Sequence, residues 1–200
     1  MFAHSDDPWG FRNRWYEARK RDLTLACLPA ARYRHAYEPG CANGELAAAL
    51  ATRCDRLLAS DGSAPALAIA RDRLQSMPNV ELRQAWLPDD WPAGLPGSSA
   101  GEGRPGFDLV VFSELGFYLD TAQLSVLIAR MKASLASGGT VLACHWRHPV
   151  EGHALDGDAV HAALAAQLDM PRLLRHEEAD FLLEVWSHDA RSVAQVEGFV

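Results

Sequence analysis

The most informative stretch of this sequence is a short glycine-containing segment, EPGCANGEL, at residues 38–46. Glycine allows positive φ angles and lets a ligand approach the backbone closely. A helix that begins directly afterwards offers free N–H groups and the positive end of its dipole. The segment therefore predicts a small-molecule site between a strand and a helix. A tight turn without a ligand is the alternative.

The spacing of this segment separates two classes of ligand. A dinucleotide fingerprint, G-x-G-x-x-G, would match Gly40 and Ala42 but would place Glu45 at the third glycine, where its carboxylate would repel a pyrophosphate. The pattern [DE]-x-G-x-G-x-G instead matches Glu38, Gly40 and Gly44, with Ala42 replacing one glycine. That pattern is typical of sites for S-adenosylmethionine, which carries a sulfonium and an amino-acid group but no phosphate. We therefore expect this cofactor at the turn.

Two further predicted contacts follow the neighbouring strands. Asp61 ends the run LLASD, where a carboxylate can accept hydrogen bonds from both hydroxyls of a ribose. A role as helix cap or turn residue is the alternative. Ala85 and Trp86 follow the third strand, where the adenine would lie, unless Trp86 only covers the sheet edge.

A basic run at residues 12–21 is predicted to form a helix near the N-terminus. It is either a solvated amphipathic helix or a lid over the cofactor. In a lid, Tyr16 would face the methionine group, Arg19 would pair with its carboxylate, and Trp9 or Trp15 would lie near the substrate entrance. The full set of expected cofactor contacts is Tyr16, Arg19, Glu38, Gly40, Cys41, Ala42, Gly44, Asp61, Gly62, Ala85, Trp86 and Ser113.

Candidate catalytic groups follow the next two strands. Methyl transfer is an in-line displacement that needs alignment of the reactants, and an amine acceptor must lose a proton before it can attack. Glu114 and His145 are predicted to lie nearest the reacting nitrogen, although Glu114 could be a helix-terminal charge and His145 a hydrogen-bonded core residue. Tyr118, Trp146 and Arg147, together with Trp9, are the predicted substrate contacts. Stacking of Trp146 on Arg147 at the surface is the alternative.

Four histidines raise the question of a metal site. His145, His148, His153 and His161 match no common zinc spacing, and methyl transfer requires no metal. We therefore predict that the protein holds none.

These residues must be positioned by alternating strands and helices, because short apolar runs alternate with helical patterns along the chain. The predicted strands cover residues 35–38, 56–60, 79–84, 107–113, 140–146, 172–177 and 181–188. Helices are predicted over residues 45–54, after a Ser63 cap, between an Asp120–Gln123 capping box and Ser137-Gly138-Gly139, and from Asp158 to Leu168. The last two strands are expected to form an antiparallel hairpin. Residues 87–106 contain four prolines and five glycines, so a surface loop is expected there in place of a helix.

With these residues in place, the chain resembles class I S-adenosylmethionine-dependent methyltransferases and, more narrowly, the nodulation protein S family of small N-methyltransferases. The resemblance rests on DPWGFRNRWYEARKR, YEPGCANGEL, LLASDGS, FDLVVFSELGFYL and GTVLACHWRHPV. It implies a doubly wound, Rossmann-like α/β fold with seven mainly parallel strands in the order 3-2-1-4-5-7-6 and the last strand antiparallel. It also implies an amine acceptor on an aminosugar or similar metabolite. Ala42 and the missing helix after the third strand depart from the family pattern.

Bulk properties limit the partners. The 200 residues predict a single methyltransferase domain over 1–200, with residues 1–30 as the lid. A net charge of −7 disfavours nucleic acid. The four cysteines form no CxxC pair, and neither a signal peptide nor a membrane span is recognised, so a cytoplasmic monomer or homodimer without membrane partners is expected.

The predicted function is methyl transfer from S-adenosyl-L-methionine, which becomes S-adenosyl-L-homocysteine, to a small-molecule amine. Transfer to a hydroxyl and a cofactor-binding module without catalysis are the alternatives. A nicotinamide-dependent oxidoreductase is disfavoured by Glu45. The identity of the acceptor is not encoded in any motif of the sequence.

Overall fold

The computed structural model describes residue 2, residues 5–92 and residues 106–200. The helices in these ranges are α1 Trp15–Ala26, α2 Glu45–Ala51, α3 Ala64–Leu74, α4 Thr121–Ser134, α5 Gly157–Gln167 and α6 Val193–Val196, with a 3₁₀ turn at Gly116–Tyr118. The strands are β1 Tyr33–Pro39, β2 Cys54–Asp61, β3 Val80–Gln84, β4 Phe107–Ser113, β5 Leu135–Trp146, β6 Arg172–Glu177 and β7 Phe181–Ser187.

The strands form one seven-stranded sheet in the order β3-β2-β1-β4-β5-β7-β6. The pairs from β3 through β5 are parallel, and β7 runs antiparallel to both β5 and β6. The predicted fold class, strand order and antiparallel last strand are confirmed.

Helices cover both faces of the sheet, which is why β4 and residues 140–144 of β5 are almost continuously apolar. On one face α2 and α3 pack through residues such as Leu50 and Leu67, and on the other α4 and α5 pack through residues such as Leu127 and Leu164. Burial of each of these leucines contributes about 1.5–3 kcal/mol. The arrangement brings the carboxyl ends of the parallel strands to one edge. In the described ranges, none of the helices has both the length and the apolar character needed to cross a bilayer.

Helix starts follow the predicted capping chemistry with one correction. The Ser63 side chain accepts a hydrogen bond from the N–H of Ala66 at the start of α3. Asp120 and Gln123 form the predicted capping box of α4. At α5 the cap is Asp156, not the predicted start at Asp158, which lies in the first turn of the helix. Asp156 and Asp158 both lie next to the start of the helix, and either aspartate can cap a helix. The local sequence alone therefore does not distinguish them.

Helix ends were predicted less well. The prediction that Ser137-Gly138-Gly139 terminates α4 is wrong, since α4 already ends at Ser134 and these residues lie within β5. The register between β4 and β5 shifts there, from Phe107 opposite Leu135 to Leu109 opposite Thr140. Gly138 has a φ of +77°, a conformation found both in one type of bulge and at helix C-termini. Helix α2 similarly ends at Ala51, so that Cys54 begins β2.

Most of the predicted 87–106 loop lies outside the described residues, which stop at Pro92 and resume at Gly106. Before that gap, the N–H of Trp86 donates to the carboxylate of Asp90 at 2.9 Å. The ring of Trp91 packs edge-on against Tyr37, with centroids 5.0 Å apart. The beginning of the segment is therefore anchored on the sheet.

The turn between β1 and α2 contains three left-handed residues, Gly40, Ala42 and Gly44, at φ angles of +76°, +49° and +81°. The N–H groups of Gly40 and Cys41 both donate to the carbonyl of Ser60, at 2.7 and 2.9 Å, which ties the turn to β2. Alanine at position 42 therefore occupies a conformation that glycine adopts without strain, at a cost of about 1 kcal/mol.

Replacing Ala42 by glycine should consequently stabilise the protein. We expect Ala42→Gly to raise the free energy of unfolding by up to about 1 kcal/mol, or Tm by about 2–4 °C. The matched control is Ala129→Gly, at an exposed position inside α4, which should lower stability by about 1 kcal/mol. Thermal unfolding of both variants checks the prediction, and two losses of equal size would contradict it.

Candidate active site

A small cavity lies where the turn after β1 meets α1 and the end of β4. Its volume is about 60 Å³, which is room for about two water molecules. It brings together five of the predicted cofactor contacts and one predicted catalytic residue, namely Glu38, Gly40, Cys41, Ala42, Ser113 and Glu114.

The wall opposite the turn is a polar face of α1. Glu17, Lys20 and Thr24 are all buried, although they are the kinds of residue that usually face solvent. The ammonium of Lys20 lies 2.9 Å from a carboxylate oxygen of Glu114 and 3.2 Å from one of Glu17. The hydroxyl of Thr24 donates to the carbonyl of Lys20 at 2.9 Å. Sequence reasoning missed Lys20, for which the i, i+3, i+7 spacing of these polar residues was the available signal.

The neighbouring Arg19 faces the other way. Its guanidinium forms two hydrogen bonds with the carboxylate of Glu178, at 2.7 and 2.8 Å, in the turn between β6 and β7. Consecutive helical residues point about 100° apart, so only one of Arg19 and Lys20 can face the cavity. The structure does not bring Arg19 to the position expected for it beside the cofactor.

Tyr16 lies beside the ion pairs. Its ring meets Trp146 and Phe181 edge-on, with centroids 5.9 and 6.2 Å apart, and the Lys20 ammonium lies 5.1 Å from its centre. Burial raises the pKa of the Tyr16 phenol, so the hydroxyl remains a neutral donor. That hydroxyl is buried without a hydrogen-bond partner, and such a group favours a ligand that would accept from it.

Two further orphaned groups lie at the cavity. One carboxylate oxygen of Glu38 and the side-chain oxygen of Asn43 are buried without a partner. Burial, reinforced by the nearby charge of Asp61, raises the pKa of Glu38 to about 8. The Asn43 oxygen is an acceptor, and the Glu38 carboxyl becomes acceptor-only when it loses its proton, so their natural complement is a cationic donor with several protons, such as an ammonium group.

Asp61 closes β2, as predicted, and supports the turn. Its carboxylate accepts hydrogen bonds from the N–H groups of Ala42 at 3.0 Å and Ser63 at 2.8 Å. Burial raises its pKa, and these two hydrogen bonds oppose that rise. Two carboxylate oxygens offer about four acceptor positions, so capacity remains for a ribose.

The predicted adenine contacts lie around the same aspartate. The N–H of Ala85 donates to the carbonyl of Asp61 at 3.1 Å. A Cβ atom on Gly62 would come within 2.9 Å of the Trp86 ring, so this indole lies directly over the backbone that follows β2. Trp86 is 68% exposed, which leaves its other face available.

Glu114 joins three elements. Its φ angle of +51° is unusual for a residue with a side chain. One of its carboxylate oxygens binds Lys20, and the other accepts from the N–H of Trp146 at 3.1 Å. Its own N–H donates to the carbonyl of Cys144 at 3.0 Å. The carboxylate is therefore held at the cavity by α1 and the end of β5.

The expected place of His145 needs correction. It is fully buried and does not line the cavity. Its Nε2 accepts from the N–H of Gly116, and its Nδ1 faces His161, each at 3.2 Å. Burial and the neighbouring His161 hold its pKa well below the usual range. The alternative of a hydrogen-bonded core histidine is the one that the structure shows, because the ring contacts His161 of α5 and not the cavity.

The predicted substrate contacts divide into two groups. Tyr118, which is 41% exposed, meets His153 edge-on at the open side. Trp146 is half-buried against Tyr16, as described above. Arg147, however, is paired with the carboxylates of Asp158 and Glu177, at 2.9 and 3.0 Å, so the structure does not leave it facing a substrate.

Trp9 belongs to the segment that precedes α1. Its ring packs near Phe2 and Phe11, with centroids 5.2 and 5.4 Å away, and Phe11 lines the cavity. The same segment is bonded to the start of α2 through Arg12, whose guanidinium lies 2.9 Å from Glu45. We call residues 5–14 the cover segment. Among the described residues, no group of three or more histidine, cysteine, aspartate or glutamate side chains is placed to hold a metal ion.

Comparison with known families decides the class of protein. The family described as "Methyltransferase domain" matches residues 36–139, from β1 to the first part of β5. The chain belongs to this methyltransferase family. It is a class I, S-adenosyl-L-methionine-dependent methyltransferase that resembles NodS, as the sequence predicted. None of the curated proteins compared with it matches.

Solved structures agree with this assignment. A Pseudomonas syringae protein provisionally assigned as a methyltransferase is 52% identical, with a TM-score of 0.74 over 87% of this chain and 99% of that one. The N-methyltransferase NodS from Bradyrhizobium japonicum WM9, in complex with S-adenosyl-L-homocysteine, is 25% identical, with a TM-score of 0.76 over 92% and 93%. An O-methyltransferase family protein from Burkholderia thailandensis is 14% identical, with a TM-score of 0.69 over 93% and 61%, and shares the fold.

The two adjacent cations of α1 should differ sharply in their effect on the stability of the methyltransferase. Lys20→Met removes a buried ammonium that pairs with the buried Glu17 and the partly buried Glu114, so we expect a loss of about 3 kcal/mol in the free energy of unfolding. Arg19→Met removes a surface ion pair and should cost less than about 1 kcal/mol. Urea denaturation of both variants checks this, and equal losses would show that Lys20 is not the buried anchor.

The raised pKa of Glu38 predicts a pH dependence. Between its usual value of 4.5 and about 8, the folded protein keeps a proton that the unfolded chain has lost. The stability from this proton is complete below pH 4.5 and is lost as the pH rises towards 8, at up to about 1.4 kcal/mol per pH unit. Glu38→Gln should lack this loss between pH 6 and 8, whereas Glu81→Gln, at a half-exposed site on β3, should keep the wild-type slope. Parallel slopes for Glu38→Gln and wild type would contradict the assignment.

Proposed function

We propose that this enzyme transfers the methyl group of S-adenosyl-L-methionine to an amine of a small-molecule acceptor. The observation that carries the proposal is the cluster of Glu17, Lys20 and Glu114 at the cavity. Two carboxylates and one ammonium leave one net negative charge, which a cationic amine would neutralise and a neutral hydroxyl would not. NodS, whose fold this chain shares, is an N-methyltransferase.

The residues at the turn fit the cofactor. The orphaned oxygens of Glu38 and Asn43 would accept hydrogen bonds from its ammonium group, and Asp61 would bind its ribose. A side chain at position 40 would be both crowded and strained, because a Cβ would lie 3.2 Å from the side chain of Leu115 and the φ angle is +76°. Trp86 and Ala85 would border the adenine. When bound, the cofactor supplies a methyl group activated by a neighbouring sulfonium.

Glu114 is the group that we assign to the acceptor. It lies at the carboxyl end of β4 beside the cavity, and its carboxylate is oriented by Lys20 and by the N–H of Trp146. From this position it would orient the acceptor nitrogen and take the proton that the amine must lose. The hydroxyl of Tyr16 and the ring of Trp146 would complete this side of the site.

Helix α1 and the cover segment would exclude water from the site. The cover segment borders the cavity through Phe11 and is bonded to the start of α2. The contacts that hold it are Arg12 with Glu45 at 2.9 Å and the amide of Asn43 with Asp7 at 3.2 Å. The lid role that the sequence predicts for residues 1–30 is part of this proposal.

The proposed partners follow from the same charges. A small molecule fits a site at the edge of one sheet, whereas the net charge of −7 opposes a polyphosphate. The net charge does not distinguish a monomer from a homodimer, so both oligomeric states stay predictions.

The proposed function is tested by incubating the purified protein with S-adenosyl-L-methionine and a panel of amines and matched hydroxyl compounds. Methyl transfer is measured as the release of S-adenosyl-L-homocysteine. Glu114→Gln should lower kcat/KM for the amine acceptor by about 100-fold, while the Kd for S-adenosyl-L-homocysteine changes by less than about threefold. Glu81→Gln serves as the control and should match wild type. Turnover of hydroxyl compounds alone, or equal losses of turnover and cofactor affinity in Glu114→Gln, would contradict the proposal.

A further inference from the structure

A buried chain of hydrogen bonds lies beneath the active-site edge and takes no part in the cavity. It runs from His145 at the end of β5 to His161 in α5 and Glu184 in β7, all at most 2% exposed. The two imidazoles are 3.2 Å apart, between Nδ1 of His145 and Nε2 of His161. Nδ1 of His161 lies 2.8 Å from a carboxylate oxygen of Glu184.

The direction of each hydrogen bond follows from its ends. The backbone N–H of Gly116 can only donate, so Nε2 of His145 accepts and its proton is on Nδ1. That proton points to Nε2 of His161, whose own proton is therefore on Nδ1 and points to Glu184. Both histidines are thus assigned as neutral and in the same tautomer.

The far end of the chain is charge-compensated. The second carboxylate oxygen of Glu184 lies 2.7 Å from Arg172 and 3.2 Å from Arg175, both on the edge strand β6. Glu184 can therefore remain an anion inside the core and accept the proton of His161. The Glu184 carboxylate therefore favours the same direction for the hydrogen bonds between these side chains.

The near end of the chain supports the turn that carries the active-site residues. Gly116 comes two residues after Glu114 and begins the 3₁₀ turn that carries Tyr118. A Cβ on Gly116 would lie 2.5 Å from a methyl of Val160 in α5, so the turn packs directly on that helix. Since Glu114 has a strained φ of +51°, this turn requires support from its surroundings.

We propose that His145 is a positioning residue whose Nε2 fixes the 114–118 turn, and through it the Glu114 carboxylate, with His161 and Glu184 holding the imidazole in the accepting tautomer. The inference rests on the proposed role of Glu114 towards the acceptor. His145 itself touches neither cofactor nor acceptor. A space-filling core histidine would hold the fold together but would leave the rate per folded molecule unchanged.

Two substitutions separate positioning from packing. In His145→Gln the amide oxygen can still accept the Gly116 N–H, whereas His145→Leu fills the space without an acceptor. We expect kcat of the full-length enzyme to fall about tenfold in His145→Leu, the equivalent of one lost hydrogen bond, with the Kd for S-adenosyl-L-homocysteine within twofold of wild type. His145→Gln should recover most of kcat. His35→Leu, at the amino end of β1, is the control and should match wild type.

Equal kcat values in His145→Leu and wild type, or equal impairment of the leucine and glutamine variants, would overturn the proposal. A measurement on the wild-type protein covers the case in which His145→Leu does not fold. Nitrogen-15 NMR of the imidazoles should show both histidines neutral with the proton on Nδ1, and an Nε2 proton on His145 would overturn the assignment. An enzyme that methylates only hydroxyl compounds refutes the amine acceptor of the proposed function, and the variants are then compared on that acceptor.

Discussion

One ammonium between two carboxylates joins the N-terminal helix to the sheet. Lys20 is only 8% exposed, and it reaches Glu114 at the end of β4 as well as Glu17 on its own helix. Removing such charges from water costs several kcal/mol each, which the mutual attraction and additional hydrogen bonds must offset. Here the N–H of Trp146 supplies one of those additional bonds. The position of α1, the shape of the cavity and the orientation of Glu114 all depend on this contact.

Much of the fold was predictable because its determinants are local. The apolar run at residues 107–113 and the capping box of Asp120 and Gln123 each indicate one element with one boundary, and both are found as predicted. The end of α4 was not predictable in the same way. A glycine with positive φ ends helices and also forms bulges, and only the pairing of β5 with β4 decides which of the two occurs.

The candidate site was predictable where the backbone alone defines a position. Glu38, Gly40 and Asp61 lie at the ends of β1 and β2, and parallel strands bring those ends together whatever their side chains do. The positions of side chains on helices and at the carboxyl end of β5 were harder to predict. The choice between Arg19 and Lys20 depends on how α1 is rotated against the sheet, and the place of His145 depends on which face of β5 meets α5. The spacing of the residues determines neither the rotation of α1 nor the face of β5 that meets α5.

The charged contacts of α1 lie at different depths and therefore differ in their sensitivity to salt. Arg19 and Glu178 are 40% and 27% exposed, whereas Lys20 is 8% exposed. Dissolved ions screen the outer pair over about 8–10 Å and hardly reach the inner one. Higher ionic strength should therefore weaken the Arg19–Glu178 pair beside the β6–β7 turn before it weakens the contacts of Lys20.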